Sequence, residues 1–155
     1  MANIGYMQLV RHCNQYCRFC SNPETPYVLD LDTAKREVDD FVTRGYFGVI
    51  LTGGEPSLSP IVAEITRYAT ERGLHVRMIT NGSKIADMAV ARSFVEAGLL
   101  HYHVSIHSSR EDVEDFLTGV KGSLGVDPNT ERLTYRELQE RRELIRSRMQ
   151  NRTAS

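Results

Sequence analysis

Short apolar runs closing on glycine or a polar turn, each followed by a helical pattern, recur along this chain at a pitch of roughly 27 residues. Gly48-Val49-Ile50-Leu51-Thr52 is one such run and Val76-Arg77-Met78-Ile79-Thr80 the next, with Tyr102 to His107 as a third. Met7 to Val10 reads as a strand ahead of them all. Between the strands, Asp32 is placed to cap a helix with Ala34, Val38 and Phe41 on one face, ended by Gly45. Ser59-Pro60 offers a cap and a first-turn proline to a helix carrying Ile61, Ile65 and Tyr68 and stopped by Gly73. Ile85 to Ala97 makes a third helix, ended by Gly98. Strands alternating with helices at this pitch specify an α/β fold with a parallel sheet, open or curled into a barrel.

The first repeat is longer than the others by the length of a segment holding Cys13, Cys17 and Cys20, the only three cysteines of the chain. They therefore fall in the loop after the first strand, at the edge where parallel α/β folds build their sites. Three thiolates cannot complete a tetrahedral zinc site, but they can hold three irons of a cubane cluster and leave the fourth open. Adding His12 gives the alternative, a Cys3His zinc-binding module. At 155 residues with a formal net charge of −1, the chain has one domain's worth of core and no field that recruits nucleic acid or anionic lipid. It shows no secretory signal and no apolar stretch of membrane-spanning length, so the expected location is the cytoplasm, where clustered cysteines bind metal rather than pair.

Other strand ends carry polar or glycine-rich groups to the same edge. Gly53-Gly54-Glu55-Pro56 follows the second strand, where glycines let backbone approach a ligand and a glutamate can accept from an ammonium group. Thr80-Asn81-Gly82 ends the third strand, and Ser105-Ile106-His107 the fourth. On that fourth strand His101, His103, Ser105 and His107 share one face, and Tyr102, Val104 and Ile106 the other. The apolar face is expected toward the helices. The polar one reads as a solvated edge or as the wall of a cleft.

The C-x3-C-x2-C spacing with Phe19 before the last cysteine, joined to Gly53-Gly54-Glu55-Pro56, resembles the radical S-adenosylmethionine (radical SAM) enzymes. The likeness runs from about Gly5 to Leu124 and includes Asp115-Phe116-Leu117-Thr118-Gly119 and Lys121-Gly122-Ser123. It implies a 4Fe-4S cluster on Cys13, Cys17 and Cys20. It also implies S-adenosylmethionine (SAM) met by Phe19, Gly53, Gly54, Glu55, Pro56, Asn81, Ser105 and His107. The family's reaction is reductive cleavage of SAM to a 5′-deoxyadenosyl radical that takes hydrogen from a substrate, here unidentified. The resemblance implies an external one-electron donor of flavodoxin or ferredoxin type, and the three cysteines leave none for an auxiliary cluster held by this chain alone.

The family's barrel has six strand–helix units and this chain supplies about four. The expected organisation is a partial parallel (β/α) barrel over residues 1–124, then a loop and a charged C-terminal helix over 125–155. Tyr135, Leu138, Ile145 and Met149 stripe that helix. An open fourth strand then has three explanations: a shortened homologue without turnover of its own, a terminal helix that covers the edge, or a protein partner or second copy that completes it.

Overall fold

The computed structural model describes residues 3–125, and the expected C-terminal helix lies outside them. The described chain forms two compact units. The first comprises residues 3–13 and 22–105; the second has 14–21 and 106–125.

The first unit is a parallel four-stranded sheet in sequence order: β1 (Ile4–Val10), β2 (Gly48–Gly53), β3 (His75–Thr80) and β4 (His101–Val104). Helices α1 (Leu31–Thr43), α2 (Val62–Glu71) and α3 (Met88–Glu96) make the crossovers. Alternation along each strand sends Met7 and Leu9, Val49 and Leu51, and Val76 and Met78 to one face, where all six are fully buried. They pack with Ala34 and Val38 of α1, Val62, Ile65 and Ala69 of α2, and Phe94 of α3. Each large aliphatic side chain buried this way stabilises the unit by about 1.5–3 kcal/mol. The opposite face carries Tyr6, Gln8, Ile50, Thr52, Arg77, Ile79, His101 and His103.

Element ends depart from the sequence expectation for local reasons. Asp30, not Asp32, caps α1: its Oδ1 accepts from the Thr33 amide at 2.9 Å, leaving Asp32 in the first turn. Ser59-Pro60 does not cap α2. Glu55 instead caps a one-turn 3-10 helix, Pro56–Leu58, and α2 begins at Val62 without a side-chain cap. Helix α3 starts at Met88 rather than Ile85, because Asp87 takes the Ala89 amide at 2.8 Å. Strand β4 stops at Val104 instead of His107, since its only partner among the described residues, β3, ends at Thr80. Of its apolar face only Tyr102 reaches the helices, donating to the Ala91 carbonyl at 2.7 Å; Val104 and Ile106 are exposed.

The second unit is organised by α4 (Glu111–Thr118), ended by Gly119 in the left-handed region at φ 70°. A side chain at Gly119 would also crowd Tyr16, so glycine is required twice over.

Candidate functional site

In the first unit, three of the sequence motifs meet at the C-terminal ends of the strands. Strand β1 carries a register irregularity between Gln8 and Val10, just ahead of the first cysteine. Beyond it, the Gly54 amide donates to the Val10 carbonyl at 2.8 Å and the Glu55 amide to the His12 carbonyl at 2.9 Å. The backbone entering Cys13 is thus strapped to the Gly-Gly-Glu-Pro segment. A Cβ on Gly54 would overlap the His12 carbonyl oxygen, and one on Gly53 the Val10 carbonyl oxygen. Close packing of these two strand extensions supplies a reason for the glycines nearer than any ligand.

Glu55 is 1% exposed, and its carboxylate gathers four protein donors. Oε1 accepts from the Ser57 amide at 3.0 Å, the Ser57 hydroxyl at 2.5 Å and the Thr80 hydroxyl at 2.7 Å. Oε2 accepts from the Asn81 amide at 2.7 Å. A buried carboxylate demands such company. Here the donors come from the ends of both β2 and β3, so one side chain ties the two strand ends together. Asn81 in turn aims its Nδ2 at the Cys13 sulfur, 3.8 Å away, while its Oδ1 accepts from the Ser83 amide at 3.0 Å. Pro56 is buried at the start of the 3-10 turn, and the Ser105 amide donates to the Thr80 carbonyl at 2.9 Å.

Within the second unit, the segment bearing Cys17 and Cys20 is tied to the end of α4. The Tyr16 and Arg18 amides donate to the carbonyls of Thr118 and Leu117 at 2.8 and 3.1 Å, filling acceptors that a helix end leaves open. Cys20 closes a turn on the Cys17 carbonyl at 3.0 Å. Phe19 meets His107 edge to face, with ring centroids 4.6 Å apart. Two carboxylates that sequence reasoning missed hold the flanking loops. Glu114, 3% exposed, accepts from the His107 and Ser108 amides at 2.9 and 2.6 Å. Asp115, 2% exposed, accepts from the amides of Gly122 and Ser123 at 3.0 and 2.9 Å.

All three cysteines keep their thiols, none entering a disulfide. Among the described residues no three His, Cys, Asp or Glu converge as the ligands of a single ion. His12, the fourth ligand of the zinc alternative, bonds Glu24 through Nδ1 at 2.8 Å. Three thiolates spread along a loop suit a cubane, in which each binds its own iron, better than one tetrahedral ion with four converging donors.

The sequence model of the Radical SAM superfamily matches residues 7–148. The chain belongs to the radical SAM superfamily. Its cofactors are the family's, a 4Fe-4S cluster and SAM. This radical SAM chain is 33% identical over 119 residues to a PqqA peptide cyclase of Ruegeria pomeroyi, covering 74% of itself and 32% of that protein. It is 34% identical to an AdoMet-dependent heme synthase of Methanosarcina barkeri, covering 75% and 34%. A probable GTP 3′,8-cyclase of Thermococcus kodakarensis matches at 30%, covering 75% and 38%. The relatives are enzymes, and the chain spans about a third of their length. Among solved structures, native anSMEcpe with bound AdoMet superposes with a TM-score of 0.60 at 17% identity, over 95% of this chain and 41% of that one. Streptococcus suis SuiB bound to its precursor peptide SuiA gives 0.62 at 16%, over 78% and 28%. These likenesses show the fold. No helix among the described residues is long and apolar enough to cross a membrane.

Proposed function

We propose that the chain is the cluster- and SAM-binding part of a radical SAM enzyme acting on a peptide, with Cys13, Cys17 and Cys20 as the cluster ligands. The observation that carries the reading is the convergence, in one unit, of the first cysteine with the Gly53–Pro56 segment and Asn81. Cys13, Cys17 and Cys20 would hold a cluster that, once reduced by an external donor, would supply the one-electron reduction by which SAM is cleaved to methionine and a hydrogen-abstracting 5′-deoxyadenosyl group.

The chain's own residues bind and orient. Asn81 donates to the Cys13 sulfur, an interaction of the kind that tunes a cluster and fixes its ligand. Gly53, Gly54 and Pro56 would meet the methionine moiety through backbone, because the Glu55 carboxylate is buried among its own donors. Glu55 then acts by positioning Asn81. Phe19, Ser105 and His107 would line the remainder of the SAM site. Peptide is favoured as substrate class by the relatives and neighbours whose names include one. The electron would come from an external donor of flavodoxin or ferredoxin type, as the family's reaction implies.

Anaerobic cluster loading followed by dithionite and SAM tests this directly: 5′-deoxyadenosine is expected, and its absence from a fully loaded protein, with or without added peptide, defeats it. One second reading is a cluster- and SAM-binding protein without turnover of its own, favoured by the outer strand β4, whose pairing among the described residues is with β3 alone. In that case SAM alters the spectrum of the reduced cluster without being cleaved.

A further inference from the structure

The face of the sheet turned away from the helices holds a cation with no counter-ion among the described residues. Register places Tyr6, Ile50, Arg77 and His101 side by side across all four strands, with Gln8, Thr52, Ile79 and His103 in the next row toward the functional edge. Val76 and Met78, on either side of Arg77, are fully buried on the helix face, so Arg77 points the other way. Its side chain is partly buried, yet no hydrogen bond or ion pair holds it among the described residues. No Asp or Glu occurs in any of the four strands. His101 sits opposite Arg77 in the register, and its ring lies 6.5 Å from that of His103.

A guanidinium that is partly withdrawn from water gains from an acceptor beside it, and half-buried arginines commonly have one. The other half-buried arginine of the same unit, Arg11, is held by the Gln8 side chain at 3.0 Å, and of the exposed ones Arg44 pairs with Asp40 and Arg72 with Asp39. Arg77 stands apart from them, on a face that the helices do not cover.

We propose that Arg77, flanked by His101 and His103, binds a side-chain carboxylate of an acidic peptide substrate laid on this face. The inference rests on the radical SAM reading for the word substrate and deepens it to a substrate chemistry. A guanidinium takes a carboxylate bidentately, and a neighbouring imidazole N–H supplies a further donor. One permanent cation balances a monoanion. A phosphate group asks for more, either several cations or the amides of a helix N-terminus, and this row offers neither. Ile50 and Tyr6, one and two strands along, give the peptide an apolar and aromatic bed. Arg77 stands three residues before the end of β3, about 10 Å below the functional edge at strand rise, so it holds a part of the substrate remote from the reacting bond.

The test is an NMR titration of the full, anaerobically loaded chain with an end-blocked Gly-Glu-Gly peptide, its Gly-Gln-Gly counterpart and inorganic phosphate. The glutamyl peptide is expected to shift the amides of Ile50, Arg77 and His101, binding about tenfold or more tighter than the glutaminyl one. Arg77→Gln should abolish that preference and Arg77→Lys should retain part of it, with circular dichroism confirming that both fold. Equal binding of the two peptides, an undiminished preference in Arg77→Gln, or phosphate binding at these residues in place of the glutamyl peptide would each overturn the proposal. If the variants fail to fold, the two peptides on the unaltered chain still decide it. SAM cleavage plays no part in this readout, so a chain that selects the carboxylate but makes no 5′-deoxyadenosine refutes the enzyme reading alone.

Discussion

Replacing Glu55 tests the tie between the ends of β2 and β3 most sharply. Its carboxylate is 1% exposed and accepts four hydrogen bonds. In Glu55→Ala, the Ser57 donors are only partly buried and can turn to water, and the Thr80 hydroxyl can rotate. The Asn81 amide has less freedom. Counting the Asn81 amide left unsatisfied at about 1–3 kcal/mol, and the cavity added, the loss is about 2–5 kcal/mol, a large share of a typical domain's stability. Glu55→Gln keeps the shape. Its amide oxygen serves the three donors at the Oε1 position, and its NH2 then faces the Asn81 N–H, so one charge-assisted bond is exchanged for donor against donor. That is worth about 1.5–3 kcal/mol. Urea unfolding followed by circular dichroism reads both variants, with midpoints expected to fall by about 1 M for Gln and more for Ala. Thr80→Val supplies the partner for a double-mutant cycle with Glu55→Ala, which removes the shared bond from either side, and a coupling of about 1 kcal/mol is expected. An Ala variant within about 1 kcal/mol of the unaltered chain, or a cycle with no coupling, would refute the claim that this carboxylate joins the two strands.

Gly54→Ala should lower stability by about 1–3 kcal/mol, because its Cβ must displace the His12 carbonyl, and thermal unfolding would show it; an unchanged midpoint would mean that the strap yields freely. Hydrogen bonding by Thr33 holds the Asp30 carboxyl below its ordinary value. Its capping contribution is therefore complete above the unfolded value of 3.8 and disappears as pH falls through the lower folded one. The stability difference between the unaltered chain and Asp30→Ala should accordingly shrink on acidification below that point, and a difference that persists unchanged would exclude the carboxylate as its source.

The strand–helix repeat could be read from the sequence because strands covered on both sides must be apolar throughout, and Val49 to Leu51 announces that without context. Element starts were less legible. Asp30 and Asp32 offer the same cap two residues apart, and only the path of the chain selects Asp30. Ser59-Pro60 fits a helix start locally, but Pro56 and the Glu55 carboxylate claim the turn first. Gly53 to Pro56 stood out by spacing, whereas the bonds of Glu55 to Thr80 and Asn81 join residues 25 and 26 apart and leave no local trace. Glu114 and Asp115 lie in an acidic run that reads as a solvated helix face. The glycines at 119 and 122 are the only sequence hint that a loop folds back onto it.

The strap between Val10–His12 and Gly54–Glu55 has a consequence for the order in which the protein is made. Translation delivers Cys13 first, while the amides that fix its approach arrive with Gly54 and Glu55, and the Asn81 side chain comes 68 residues after the cysteine. At ordinary elongation rates that interval lasts about 3–14 s. Throughout it the thiol has no fixed neighbour and is open to oxidation or to capture by whatever metal is at hand. Insertion of iron and sulfide into a correctly shaped site therefore waits for the third strand, and its yield depends on how well the growing chain is shielded until that strand has emerged.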